Sequence, residues 1–148
     1  MKEIVSKRLL DAGNDTVYRA WSDPGHLKNW WGPHGFTNTF TEFDLRPGGK
    51  WSLVMHGPDG KDYQSEIIFE DIVPGVMLAF SYVINHKIRV EAIFEAITQS
   101  KTLVCFKMIF YNEEEFANLK NFMAEKNEEN LDRLENELSK MKLLYAHE

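Results

Sequence analysis

Residues 20–36 read AWSDPGHLKNWWGPHGF and hold three of the chain's four tryptophans. Asp23 is a good N-cap, and Pro24 suits the first position of a helix. Apolar residues then recur at the three-to-four spacing of one helix face, at Leu27, Trp30 and Trp31. Gly32 and Pro33 end this pattern. The stretch therefore predicts a short helix whose rings face a core.

The preceding residues predict a strand and another short helix. Met1 to Ala12 interleaves β-branched and apolar residues with charged ones, which is typical of a strand. A glycine breaks this pattern, and Asn14 or Asp15 is the predicted N-cap of the helix that follows. Val17 and Trp21 lie one turn apart on one face of that helix, so Trp21 is expected in the core.

From residue 36 to residue 111 the hydrophobic period changes to two, and turn signals such as Pro74-Gly75 separate the alternating runs. Six strands are predicted here: Thr37–Leu45, Lys50–His56, Tyr63–Ile72, Met77–Val83, Ile88–Ile97 and Thr102–Tyr111. Their short connections favour antiparallel pairing, because parallel strands need long crossovers. With the first strand, they predict a seven-stranded antiparallel sheet with one apolar face.

A long helix is predicted from Glu113 to about Lys142. Its apolar residues form one stripe, which comprises Phe116, Leu119, Met123, Leu131, Leu134, Leu138 and Met141. The phase of the stripe places Asn127 and Asn130 on the same inward face. Because an unpaired amide in a dry core costs about 1–3 kcal/mol, both are expected to meet water, a polar partner or a ligand.

Together these elements predict an α+β fold in one domain spanning residues 1–148. The curved sheet would wrap around the long C-terminal helix. The two short helices after the first strand would close one end.

Three ordered motifs resemble a known family over nearly the whole chain. They are VYRAWSDPGHLKNWWGP at residues 17–33, FDLRPGGKWSLVMHGPDG at 43–60 and FEDIVPGVMLAFSY at 69–82. The pattern is similar to the START-like, birch-pollen-allergen-like (SRPBCC) superfamily, and within it to the branch named for the activator of heat-shock protein 90 ATPase. The resemblance implies a helix-grip fold with a cavity between sheet and helix. Relatives commonly carry Gly-Trp where this chain has Lys126-Asn127, which implies a more polar cavity floor here.

Composition and charge exclude several classes of partner. A net charge of -6 without a run of lysines or arginines disfavours nucleic acids and anionic membranes. No apolar run has the length of a membrane span or a signal peptide, and the single Cys105 forms no internal disulfide. We therefore expect a cytoplasmic protein, a monomer or weak dimer, that uses no cofactor.

The predicted function is non-enzymatic binding of a small hydrophobic or amphipathic molecule, such as a lipid or an aromatic compound, between the sheet and the C-terminal helix. Pockets of this kind are mostly apolar with a few placed polar groups. The candidate lining comprises Trp30, Trp31, Phe36, Trp51, Leu53, Met55, Phe69, Phe80, Tyr82, Phe94, Phe106, Met123, Asn127 and Asn130. Trp30 and Trp31 are expected near the cavity mouth, and the two asparagines would orient a polar group. The alternative interpretation is that the large rings fill the interior and leave no cavity.

Two other functions remain open. The first, implied by the resemblance, is a protein-binding module that regulates the ATPase of the chaperone heat-shock protein 90. The second is a cyclase or hydrolase that uses a cavity carboxylate for acid–base chemistry. Glu66, Glu91 and Glu95 are the candidates for that carboxylate, although their apolar neighbours favour a position on the outer face of the sheet.

Metal and thiol chemistry have little support in the sequence. The five histidines lack the close ligand spacing of a zinc site, and His26 and His34 are the pair that the fold could bring together. Cys105 lies in a predicted strand between Val104 and Phe106, where we interpret it as a small apolar filler of the core.

Overall fold

Hydrophobic alternation and short turns build one curved antiparallel sheet in the computed structural model, which describes residues 2–145. The sheet order is β1-β7-β6-β5-β4-β3-β2, and every neighbouring pair is antiparallel. The elements run β1 Glu3–Leu10, α1 Asn14–Ser22, α2 Pro24–Trp30, β2 Thr37–Phe43, β3 Lys50–His56, β4 Asp62–Val73, β5 Met77–Tyr82, β6 Ile88–Thr98, β7 Lys101–Phe110 and α3 Glu113–Tyr145. The predicted α+β helix-grip architecture, with two short helices after the first strand, is confirmed.

The two short helices differ in how well their starts were predicted. Asp23 caps α2 as expected, since its side chain accepts a hydrogen bond from the Gly25 backbone N–H and Pro24 follows it. The prediction for α1 was wrong, because Gly13 is its N-cap. The side chain of Asn14 instead donates from Nδ2 to the carbonyl of Gly75, at 2.6 Å, and so ties α1 to the turn before β5.

Register shifts bend the sheet toward α3. Three of them interrupt the ladders: between Phe40 and Glu42 in β2, between Phe69 and Asp71 in β4, and between Ala96 and Thr98 in β6. An extra residue on one strand kinks it and increases the local twist. The inward face of the curved sheet can then enclose both α3 and a volume beside it.

The two halves of α3 pack differently. The residues of the apolar stripe in its second half are buried: Leu131, Leu134, Leu138 and Met141. The stripe residues of its first half are only partly buried: Phe116, Leu119 and Met123. Within the described residues, α1 and α2 both contact α3. His26 of α2 lies 2.9 Å from the buried Glu137, which belongs to the second half of α3. The short helices therefore fill one end of the grip, while the first half of α3 lies over less tightly filled space.

None of the helices in residues 2–145 combines the length and hydropathy needed to span a membrane.

Candidate ligand-binding cavity

The segment that follows α2 has an irregular backbone, and Arg133 of α3 holds it in place. Gly32 and Gly35 adopt φ values of +97° and +85°, a region that glycine enters without steric cost. The Arg133 guanidinium donates to five backbone carbonyls at 2.8–3.0 Å, those of Asn29, Trp31, Gly32, Pro33 and Phe36. One cation thus fixes the segment 31–36 against the helix.

The amides predicted to interrupt the apolar stripe of α3 are both buried. Asn127 is 4% exposed and Asn130 is 5% exposed. Asn130 Oδ1 accepts a hydrogen bond of 3.1 Å from the Gly32 N–H, so this residue has the polar partner that the sequence called for. Asn127 Nδ2 is buried with no hydrogen-bond partner among the described residues. An unpaired donor in this position is costly unless something else accepts from it.

A cavity of about 490 Å³ lies between the first half of α3 and the inward face of the sheet. Its walls are mostly apolar, and its volume falls in the range of pockets for small molecules. Eight residues predicted as lining do line it: Trp31, Phe36, Met55, Tyr82, Phe106, Met123, Asn127 and Asn130. Asn127 is thus a cavity residue as well as an unsatisfied one.

The other six predicted residues lie away from this cavity, in the packed core. They are Trp30, Trp51, Leu53, Phe69, Phe80 and Phe94, each at most 5% exposed. Trp51 shows why, because its ring packs on Phe69 at 6.1 Å and on Phe80 at 5.4 Å. Trp30 donates from its indole nitrogen to the Ala20 carbonyl at 2.9 Å, and Trp21 packs on its ring at 4.7 Å. The rings therefore fill one end of the interior but leave a cavity at the other end.

Trp31 forms the boundary between the filled and open regions. Its ring lies 5.4 Å from Trp51 on the core side and stacks on Phe106 at 6.1 Å. Burial raises the pKa of the Tyr82 hydroxyl well above its usual range, and a side-chain hydrogen bond with Trp31 opposes part of that shift. Tyr82 therefore stays protonated in the cavity wall at neutral pH.

Lining residues from the loops and from the start of α3 were not predicted. They include Pro58 and Tyr63 beside the β3–β4 turn, His86 before β6, and Leu119, Phe122 and Lys126 on α3. Ile88 and Val90 also line the cavity and share the inward face of β6 with Phe94, so the alternation in that strand was a signal that could have identified them.

The basic side chains that line the cavity have carboxylate partners. Lys126 Nζ is 3.1 Å from Glu129 Oε2, and His86 Nδ1 is 3.4 Å from Glu115. His34 Nε2 is 3.4 Å from Asp132. Burial acts to raise the pKa of Glu129, but the His34 N–H and the Lys126 ammonium prevail and lower it. Glu129 is therefore ionised at neutral pH and offsets the charge of Lys126.

The candidate catalytic carboxylates do not line the cavity. Glu91 accepts from Arg89 Nε at 3.0 Å, Glu66 lies opposite Ser52 in the β3–β4 ladder, and Glu95 is exposed. No acidic residue is found among the described lining residues. The outer-face interpretation, which the sequence favoured for these glutamates, agrees with these positions.

The histidines and the cysteine that were considered for metal or thiol chemistry do not form a common site among the described residues. His26 pairs with Glu137 and His34 with Glu129 and Asp132, and residues 2–145 hold no cluster of three or more histidine, cysteine or acidic side chains suited to a metal. Cys105 is only partly buried, between the inward-facing Val104 and Phe106. Its interpretation as a core filler was wrong, because its side chain belongs to the outer face of β7.

Known proteins share both sequence features and the fold with this chain. Residues 11–139 match the family model described as Activator of Hsp90 ATPase homolog 1-like protein. No curated protein matches the chain significantly.

Solved structures with the same fold come from several bacteria. A crystal structure of a protein from Nitrosomonas europaea has a TM-score of 0.87 at 20% identity, over 95% of this chain and 96% of that one. A solution structure of a protein from Arthrobacter aurescens has a TM-score of 0.86 at 23% identity, over 93% of this chain and 86% of that one. At these identities the likeness extends to the fold alone.

Proposed function

The chain belongs to the Activator of Hsp90 ATPase homolog 1-like family, and we propose that it binds a small hydrophobic or amphipathic molecule in the cavity between the sheet and α3. The observation that carries the proposal is the coincidence of an apolar cavity of about 490 Å³ with a buried, unpaired amide donor in its wall. Voids and unsatisfied polar groups both cost stability, and a ligand that fills the cavity would offset the cost of the void.

The lining also fits this function better than catalysis. Aromatic and thioether side chains such as Trp31, Phe106 and Met123 offer large, adaptable contact surfaces for an apolar molecule. The acidic residues that could act as a general acid or base lie on other surfaces. We therefore propose a binding protein rather than an enzyme, with Asn127 placing a polar group of the ligand.

The neutral dye N-phenyl-1-naphthylamine tests this proposal, because its fluorescence increases in an apolar site. We expect the purified protein to bind one equivalent with increased, blue-shifted emission. Met123→Trp places a large ring in the cavity and should weaken binding at least about tenfold, which follows from losing most of the buried contact area. Glu125→Trp is the matched control, since it adds the same ring at an exposed position of α3 and should leave binding unchanged.

Two results would contradict the proposal. One is the absence of dye binding by the wild-type protein at concentrations that saturate known carriers of apolar molecules. The other is equal binding by the wild type and Met123→Trp, provided that thermal unfolding shows both to be folded.

Regulation of a chaperone is the second candidate function, and the family's description is what favours it. The test is whether the purified protein stimulates the ATPase of heat-shock protein 90 from the same organism. If it does, and if Met123→Trp stimulates equally, the surface rather than the cavity carries the function. If it does not, the cavity remains the better-supported site.

A further inference from the structure

Two polar grooves at the surface adjoin the cavity. The first, of about 440 Å³, is lined by the β5–β6 loop and the β7–α3 connection, and His86 lines both this groove and the cavity. The second, of about 410 Å³, lies along the first turns of α3, and Leu119 lines both it and the cavity. Asn112 and Glu115 line both grooves. The cavity and the grooves therefore share walls, with the apolar space inside and the polar space at the surface.

The first groove offers hydrogen-bonding groups of both kinds. The exposed amide of Asn85 has a donor and an acceptor. Asn112 Oδ1 accepts from the Glu115 N–H at 2.9 Å, so its Nδ2 remains as a donor. Lys87 and Glu115 add charges of both signs. A head group with a single charge therefore meets a like charge, whereas a hydroxyl group, which both donates and accepts, matches all of these side chains.

An aromatic ring is exposed in the same groove. Tyr111 is 58% exposed and lines the groove beside Asn112. The C–H groups of a sugar ring carry slight positive charge, and they stack on an aromatic ring because its face is negative. An exposed ring among amides and a carboxylate thus combines the two contacts that hold a sugar, which are stacking and hydrogen bonds to hydroxyl groups.

Resting on the proposed function, we infer that the ligand is an amphipathic glycoside, whose apolar part fills the cavity and whose sugar ring lies in the first groove against Tyr111. His86 lies where the two spaces meet, 3.4 Å from Glu115, and so stands beside the junction of the two parts of the ligand. Phosphocholine and trimethylammonium heads match the groove less well, because they are charged and have no N–H or O–H group to donate to its oxygens.

Four ligands that share an octyl chain test this inference by displacing the bound dye below their critical micelle concentrations. They are octyl β-D-glucoside, 1-octanol, octylphosphocholine and octyltrimethylammonium. The wild type should bind the glucoside more tightly than either charged ligand. Tyr111→Ala should weaken the glucoside about three- to tenfold, as expected for a lost stacking contact, and should leave 1-octanol unchanged. Tyr111→Phe keeps the ring and should retain most of the affinity for the glucoside.

The matched control is Leu9→Ala, which truncates a 53% exposed apolar side chain of β1 that lines neither the cavity nor the grooves. It should leave both affinities unchanged. In the wild type, NOEs between the glucosyl protons and the Tyr111 ring check the same contact without a variant.

Three results would overturn the inference while displacement of the dye by 1-octanol still supports a binding cavity. The first is a ratio of glucoside to octanol affinity that Tyr111→Ala leaves unchanged. The second is tighter binding of either charged ligand, or no displacement by the glucoside at all. The third is the absence of the NOEs to Tyr111 at saturating glucoside. Failure of the dye itself to bind overturns both the inference and the proposed function.

Discussion

Asn127 is a neutral side chain that stands where the helix pattern calls for an aliphatic one. The residue is 4% exposed, and its Nδ2 has no partner among the described residues. Its neighbour in the stripe, Asn130, has one in the Gly32 N–H. The two amides thus differ, because Asn130 has a backbone partner and the donor of Asn127 has none.

In the ligand-free protein Asn127 should cost stability. We expect Asn127→Leu to increase the free energy of unfolding by about 1–2 kcal/mol, because it removes an unsatisfied buried donor and adds apolar contacts. Urea denaturation of the wild type, Asn127→Leu and the exposed control Asn121→Leu measures this. The control should stay within about 0.5 kcal/mol of the wild type. A loss of stability in Asn127→Leu beyond that range would mean that the amide already has a structural partner in solution.

At the scale of elements, α3 and the segment 31–36 form the cavity together. Arg133 donates to five carbonyls of that segment and of the end of α2. The segment leaves the helical conformation at Trp31, whose φ and ψ are -66° and 133°. Without the guanidinium, several carbonyls at the cavity mouth would have to find water instead.

Arg133→Ala should therefore destabilise the protein by about 2–4 kcal/mol, given the strength of hydrogen bonds to a charged group. Hydrogen exchange of the amides in residues 32–36 should also become faster, and Arg133→Lys should recover part of both losses. The matched control is Arg46→Ala, since the Arg46 side chain is 74% exposed and pairs with Asp44 across a turn. Equal stability of Arg133→Ala and Arg46→Ala, measured by urea denaturation, would show that the segment holds itself in place.

At the scale of the whole molecule, the position of the cavity follows from the placement of α1 and α2. Both short helices pack at the end of the sheet that receives the second half of α3, and their tryptophans fill that end. The first half of α3 covers the sheet without such filling. The open volume is therefore a consequence of topology, since one end of the curved sheet has two extra helices and the other end has loops.

The sequence predicted the elements well because their signals are local. Period-two alternation located β3 at Lys50–His56 with the bounds that the structure shows. The phase of the apolar stripe on α3 correctly predicted that Asn127 and Asn130 face inward. Both patterns depend only on residues that are close together in the sequence.

The division between filled core and cavity was not predictable in the same way. Trp30 and Trp31 are adjacent and chemically identical, but one ends α2 in the core and the other lines the cavity. Tyr63 reaches the cavity from the start of β4, and His86 from the loop before β6. These outcomes depend on how distant elements pack together, and no local pattern in one sequence records that.

Methyl NMR of the wild-type protein, titrated with N-phenyl-1-naphthylamine, tests the central claim of a ligand-binding cavity most directly. We expect saturable shifts for the methyl groups of Ile88, Val90, Met108 and Met123, which line the cavity. The methyl groups of Ile67 and Leu78, buried in the filled core, should shift much less. Shifts confined to exposed methyl groups such as those of Leu143, or no saturable shifts at all, would contradict the account.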